Sequence, residues 1–513
     1  MRSIRVTSFF VILIAAAQLT FAQPAPLAGF EEYAEKARRD WEVPGMAVAI
    51  VKDDKIVFAK GFGVRKIGEN VPVDEKTLFA IGSSSKAFTA ATLALLVDEG
   101  KLKWDDRVSK YLPEFETYDP YVTRELTIRD LLTHRSGLER GDSLWYGTEN
   151  SREEVLRRTR FIKPTWSLRS NFGYQNLMYL AAGQVVEKVT GKKWDDYVTE
   201  RIFGPLGMTA SNTTIRTFKN GDNVSTPHSK VDDKVIAIPW RNIDNIAPAG
   251  SINSNVVDIA QWIRLQLAQG TFDGKKIFSP LTAKEMHMSQ TVIRLEGSQG
   301  MTYPEAHFLN YGMGWFLSDY KGRKIVEHGG AIDGMRAEVA LVPEEKLGMV
   351  VLTNLGGSVV SMPLLYRVID SYMGVQQKDW SAEILKSYKG LLEQAAAAQK
   401  KAEAERVMGT KPTHELASYA GTYTSELYGD VKVIEENGQL RIRFGPAFVG
   451  TLEHWHYDTF RATFDGPGGS KSPVMFGLNV QGKVDTLTLG MGGMAPYPFK
   501  RIADAAKTAA TGN

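Results

Sequence analysis

Apolar residues recur along the first part of the chain with two different periods. Over residues 27–41, Phe30, Tyr33, Ala34 and Ala37 fall on one face, which predicts an amphipathic helix. Residues 46–52 and 55–63 are short apolar runs on either side of Asp53-Asp54, the pattern of a β-hairpin. From about 84 to 265 helical patterns and loops dominate. Strand-like runs return at 324–327, 337–343 and 348–354, and 362–373 again has helical spacing. Strands at both ends with helices between them predict one antiparallel sheet assembled from both termini, flanked by helices and carrying a helical insertion. That is an α+β architecture.

The texture then changes. Residues 381–407 are rich in Ala, Lys, Glu and Gln and read as a solvated helical connector. Beyond Pro412, Val431 and Val433 alternate with polar residues, then Leu440, Ile442 and Phe444 do so, on either side of Asn437-Gly438, a strong hairpin signal. Residues 474–480 and 483–489 form a second such pair, and the segment reads as a small all-β barrel. At the other end Arg2 and Arg5 precede an apolar run at 9–17 and the small-residue pattern Thr20-Phe21-Ala22, the layout of a secretory signal. The run is shorter than the roughly 20 residues needed to span a bilayer. The expected organisation is a signal peptide at 1–22, the α+β domain at 23–373, the connector at 374–411 and the barrel at 412–513. The expected location is periplasmic or secreted, with no stable membrane insertion after cleavage.

Composition narrows the chemistry. The 513 residues are 43% hydrophobic and 24% charged, as in ordinary globular proteins, and the net charge of +3 gives no case for nucleic acid. There is no cysteine, which excludes disulfides, thiol nucleophiles and thiolate metal sites. No Gly-x-Ser-x-Gly elbow, phosphate loop or His-Glu-x-x-His zinc motif is present, and no metal or cofactor is expected. His454 and His456 share a strand face but read as a packed or solvated pair.

Three short constellations remain. Ser83-Ser84-Ser85-Lys86 opens a strongly helical run at 87–97, with Gly100 as its stop. A serine hydroxyl and a lysine three residues on share one helical turn, and a lysine of lowered pKa can take the serine proton. Alone, the motif reads as readily as a serine cap followed by a surface lysine, and it recurs at Ser318–Lys321 in a polar stretch resembling a turn. Tyr174-Gln175-Asn176 lies in a loop before an apolar helix at 177–189. If that loop is extended, Tyr174 and Asn176 face one cleft and Gln175 faces out. His328-Gly329-Gly330-Ala331 follows a strand-like run, and its glycines would let a substrate approach closely.

In this order the three motifs resemble those of the serine β-lactamase and penicillin-binding protein superfamily, on its class C-like branch. Val43–Ala49, Leu131–Leu138 around His134, Pro205–Met208, Tyr311–Trp315 and Val351–Asn354 extend the resemblance over about 28–373, and the terminal barrel is similar to lipocalin-like domains of some members. The resemblance implies Ser83 as nucleophile, Lys86 as general base and Tyr174 as proton relay. It implies Asn176, His328, Gly330 and Ala331 at the substrate, with Asn176 also touching the lysine. The backbone N–H groups of Ser83 and Ala331 would form the oxyanion hole. His134 would hold its loop. His328 stands where β-lactamases usually carry lysine, and an accessible neutral imidazole attracts a carboxylate less. This resembles the esterase and D-aminopeptidase members. The expected activity is acyl-enzyme hydrolysis of small esters or D-amino acid peptides, with room for an oligomer. The alternatives are a β-lactamase or D,D-peptidase, or a catalytically weak sensor of peptidoglycan or penicillin.

Overall fold

Two apolar runs some 300 residues apart in sequence lie side by side in the computed structural model, Met46 opposite Thr353 and Lys52 opposite Leu347. The structure describes residues 26–297, 302–303, 305–466, 469–490 and 495–502; the expected signal peptide lies outside them. The N-terminal hairpin is β1 (Gly45–Lys52) and β2 (Lys55–Gly63). Its turn residues Asp53 and Asp54 both have positive φ, which short polar side chains tolerate. The later strands are β3 (Thr291–Ile293), β4 (Leu309–Tyr311), β5 (Phe316–Tyr320), β6 (Arg323–Ile332), β7 (Met335–Val342) and β8 (Leu347–Thr353). They form one antiparallel sheet in the order β2-β1-β8-β7-β6-β5-β4-β3.

Alternation along β1 builds two cores. Ala47, Ala49 and Val51 face α2 (Ser85–Asp98), α3 (Asn176–Thr190) and α5 (Val256–Leu267), with the short α4 (Ala247–Gly250) beside them. Met46, Val48 and Ile50 face α1 (Phe30–Asp40) and α6 (Ser361–Tyr372). Fully buried strands need apolar residues on both faces, which explains why β1 reads as a continuous run. The predicted antiparallel sheet from both termini, with its helical insertion, is the fold observed.

Helix α7 (Trp380–Ala404) buries only Trp380 and Ser381, and the Trp380 indole donates to Asp370 Oδ2 at 2.7 Å. Past it, eight strands from β9 (Gly421–Ser425) to β16 (Tyr497–Arg501) close into a barrel around Tyr423, Phe460, Phe476 and Phe499. Asn437 and Gly438 both take positive φ at its predicted hairpin. The barrel rests on the helical layer: Leu427 joins its core, the Arg158 guanidinium donates to the Leu427 carbonyl at 3.3 Å, and the Phe448 ring lies 6.0 Å from Tyr146.

Two expectations are corrected. Ser318 is not in a polar turn but buried in β5, and only Lys321 turns, pairing with Asp370 at 3.1 Å. The strand carrying His328 continues through its glycines to Ile332, because Gly329 and Ala331 keep pairing with Glu338 and Arg336.

Candidate active site

Gly82–Ser84 forms one 3₁₀ turn that runs straight into α2. Backbone and hydroxyl bonds hold it on both sides. Ile81 N donates to Ile252 O at 2.9 Å, Ile252 N donates to Ser85 Oγ at 3.1 Å, and Ser84 Oγ donates to the His328 carbonyl at 2.7 Å. Thr89 Oγ1 donates to Pro248 O at 2.6 Å. Lys86 is completely buried, its Nζ 3.0 Å from Ser83 Oγ and donating to Ala249 O at 2.7 Å. The amine sits 4.8 Å from the Tyr174 ring centre and 5.4 Å from that of Tyr179. Burial, opposed by Asp142 and helped by Arg140, holds its pKa well below the lysine range. A neutral amine beside a hydroxyl can accept its proton, so this pair can generate an alkoxide-like oxygen.

Tyr174 reaches the same hydroxyl. Burial raises its phenol above the usual range, while a hydrogen bond to Ser83 works the other way. Gln175 does not face out. It is fully buried and caps α3, accepting from Leu177 N at 3.1 Å and donating to Glu139 O at 2.7 Å. Asn176 borders the cleft, but its amide donates to Asp142 Oδ1 at 2.8 Å, while the polar contacts of Lys86 are Ser83 and Ala249. The expected bond from Asn176 to the lysine is therefore replaced by one to an acidic loop. His134, in the left-handed region at φ 53°, accepts from Gln175 N at 3.0 Å and packs 4.2 Å from the Tyr174 ring. It ties its loop to the tyrosine, as its position implied.

On β6, His328 is buried rather than surface-accessible. Its Nδ1 lies 2.6 Å from Gly329 O, so the ring proton belongs there, and Nε2 accepts from the Tyr311 hydroxyl at 3.0 Å. Burial and then Lys86 push its pKa down to about 3, leaving a neutral imidazole. Beyond it the strand presses on the catalytic turn. A Cβ on Gly330 would stand 1.8 Å from Ile81 O and 3.0 Å from Ser83 N, and one on Gly82, at φ 50°, 2.6 Å from Ala331 N. Only glycine permits this contact, which packs Ala331 against the turn carrying Ser83, and these two residues, each with a backbone N–H, border the same two cavities. Such a donor pair can hold an oxyanion.

Two cavities of about 390 and 450 Å³ meet here, and Ser83, Arg140, Ala331 and Arg336 border both. Sequence reading missed Arg140, Asp142, Arg336, Tyr311 as the histidine's partner, and the Ala249 carbonyl. Arg140 and Asp142 pair in a loop without a motif, and Ala249 acts through its backbone. Tyr311 belongs to the Tyr311–Trp315 run, in which Gly314, at φ 81°, packs against Ala87 of α2. Among the described residues no group of three His, Asp or Glu could hold a metal ion. His454 and His456 hydrogen-bond to backbone groups of Tyr457 and Val407.

A cleft-lining serine paired with a buried lysine under a glycine-rich strand, in a sheet flanked by helices, defines a β-lactamase-type protein. Residues 31–373 match the family model for beta-lactamase, and 405–501 that for a domain of unknown function (DUF3471). The chain belongs to the beta-lactamase family, within the β-lactamase and penicillin-binding protein superfamily of hydrolases. It is 28% identical over 509 residues to the unguisins hydrolase ungD of Aspergillus violaceofuscus, covering 91% of this chain and 88% of the relative. It is 26% identical over 356 residues to protein flp of Staphylococcus aureus, covering 68% and 66%. Among solved structures, the octameric penicillin-binding protein homologue from Pyrococcus abyssi superposes with TM-score 0.62 at 22% identity, over 92% of this chain and all of that one. A D-stereospecific amidohydrolase from Streptomyces sp. gives 0.55 at 22% identity, over 68% of this chain and 99% of that one.

Proposed function

We propose that the protein is an exported serine hydrolase that cleaves small esters or peptides, D-amino acid peptides among them, through an acyl-enzyme. The observation that carries this reading is the 3.0 Å contact between Ser83 Oγ and a buried Lys86 Nζ. Lys86 accepts the serine proton as Oγ bonds to the substrate carbonyl carbon. The carbonyl oxygen becomes an oxyanion between the Ser83 and Ala331 N–H groups, where one donor is worth about 10²–10³ in rate. Tyr174, hydrogen-bonded to Ser83, passes the proton to the departing alcohol or amine as the C–O or C–N bond breaks. Water then attacks the acyl-serine, gives up a proton by the same route and releases the acid, regenerating the hydroxyl. Asn176 holds the substrate amide from the opposite wall, and His328 and Gly330 shape the strand edge. Export is supported by the basic and apolar pattern of the first 22 residues. Among the described residues no helix is long and apolar enough to cross a membrane.

The test is a panel of short p-nitrophenyl esters, D-aminoacyl anilides and a chromogenic cephalosporin, with Ser83→Ala as control. Steady turnover of an ester or anilide that Ser83→Ala abolishes supports the reading. A stoichiometric burst without turnover would make the protein a sensor, and preference for the cephalosporin would make it a β-lactamase.

A further inference from the structure

Asn176 borders the larger cavity together with Ser83 and Ala331, yet its amide is buried and held from behind. Its Nδ2 donates to Asp142 Oδ1 at 2.8 Å. The same oxygen accepts from the Trp145 indole at 2.8 Å, and Asp142 Oδ2 accepts from Arg140 Nε at 2.5 Å. The loop carrying Asp142 is itself fixed. Gly141, at φ 66°, lies against Ile162 and Leu177, where a Cβ would stand 2.6 and 3.4 Å from their Cδ1 atoms. Asp142 O accepts from Trp145 N at 3.1 Å and from Tyr146 N at 2.9 Å. Leu177 follows Asn176 in α3, so the loop and the amide are seated on the same helical turn.

This arrangement decides which end of the amide the cleft receives. A carboxylate only accepts hydrogen bonds, so the nitrogen of Asn176 must face Asp142 and its carbonyl must face away. Among the described residues nothing donates to Asn176 Oδ1, and Lys86 Nζ donates instead to Ala249 O. That oxygen is not sealed within the protein, so it opens onto the cavity that Asn176 lines. The walls of the cleft then differ in kind. Ser83 and Ala331 carry backbone donors, and Asn176 presents an acceptor.

Resting on the reading of Ser83 as nucleophile, we propose that Asp142 is a positioning residue that turns the Asn176 carbonyl toward the substrate, so that the enzyme selects peptides and α-amido esters, whose α-nitrogen carries an N–H, over plain esters. A substrate without that N–H strips water from Oδ1 and leaves it unpaired, which a site built around a hydrogen bond does not tolerate. Arg140 answers the charge of Asp142, and the group that meets the substrate is a neutral carbonyl, suited to an amide N–H. Without Asp142 the amide is free to turn over and donate, and the discrimination goes with it.

The test compares p-nitrophenyl N-acetylglycinate with p-nitrophenyl levulinate, which replaces the N–H by a methylene and keeps both carbonyls. Full-length wild type, Asp142→Leu, Asp142→Asn, Asn176→Leu and the Asp142→Leu/Asn176→Leu double variant are assayed, with spontaneous hydrolysis subtracted. The readout is the ratio of the two kcat/KM values. Asp142 also acts on Lys86 through its charge, but the base serves both esters and that effect cancels in the ratio. Asp142→Leu and Asn176→Leu should each lower the ratio at least about fivefold, and Asp142→Asn, which keeps one acceptor oxygen, at least about twofold. Adding Asp142→Leu to Asn176→Leu should change it less than about twofold, because Asp142 acts through the amide. A ratio unchanged in Asp142→Asn or in folded Asp142→Leu would overturn the proposal, as would a full further loss in the double variant. Ligand-observed NMR on Ser83→Ala protein reads the amide independently of the chemistry. There N-acetylglycinamide should bind more tightly than levulinamide, and adding Asp142→Leu should erase the difference; equal binding before that change would remove the acceptor. If instead Ser83→Ala hydrolyses both esters at the wild-type rate, the nucleophile assignment fails while the binding comparison still decides the role of Asp142.

Discussion

Gly330→Ala tests the contact between β6 and the turn carrying Ser83. The added Cβ would lie 1.8 Å from Ile81 O and 2.7 Å from Ile81 C, where real Cβ atoms do not come closer than 3.0 Å. The obstacle is backbone, fixed by the Ile81–Ile252 hydrogen bond, so no side chain can swing away. The strand or the turn must retreat by more than 1 Å, and the Ala331 N–H moves with it. A misplacement of about 1 Å costs on the order of 10² in rate, and loss of one oxyanion donor about 10²–10³, or roughly 2.7–4 kcal/mol. Gly330→Ala should therefore lower kcat/KM for a p-nitrophenyl ester by at least about 10². The internal control is Gly329→Ala, whose Cβ meets the mobile end of Glu338 at 3.0 Å and should cost less than about threefold. Both variants are compared by ester hydrolysis and thermal unfolding. A folded Gly330→Ala enzyme within threefold of wild type would refute the claim that this contact builds the oxyanion site.

A fluorophosphonate probe should label the peptide containing Ser83 and nothing in Ser83→Ala; an adduct on Ser318, buried in β5, would defeat the assignment. Lys86 must be neutral to accept a proton, so kcat/KM should fall on acidification, with a midpoint below the ordinary lysine range as burial dictates. Lys86→Arg should lose most activity while keeping its fold, and near wild-type turnover would exclude a base role. Asp130 is a stability test. Burial would raise its pKa, but Arg169, Arg135 and Thr127 together hold it below the usual value. Its contribution is thus present above the unfolded pKa of about 3.9 and lost as pH falls through the lower folded value. Asp130→Asn should cost about 3 kcal/mol in urea unfolding at pH 7. That gap should narrow on acidification below about pH 4, and a constant gap would remove Asp130 from the linkage.

Periodicity was enough for the frame of the fold because the strands and helices bury what their patterns display. Met46, Val48 and Ile50 face one core, Ala47, Ala49 and Val51 the other, and Asn437-Gly438 turns where its φ preferences say. The site was legible where it depends on local spacing, as with Ser83 and Lys86 in one turn. It was not legible where partners come from separate elements. Asn176 was expected on the lysine, but no spacing shows that Asp142 stands nearer. His328 was expected in solvent, yet Tyr311, on a strand that does not adjoin β6, covers its Nε2. Arg336, which borders both cavities, carries no motif at all.

The pairing of β1 with β8 also has a consequence in time. A chain made from its N-terminus delivers β1, and then Ser83 and Lys86, well before Thr353 exists to pair with Met46. At about 5–20 residues per second, the intervening 300 or so residues take roughly 15–60 s. During that interval the fully apolar β1 has only its hairpin partner β2, so one row of its N–H and C=O groups is open to another chain. Contacts of such long sequence separation also form slowly once the residues are present. Each newly made molecule must therefore be kept from its neighbours until its last sheet strand arrives, so yield at high expression is set by the rate of synthesis and the supply of chaperones more than by the stability of the finished fold.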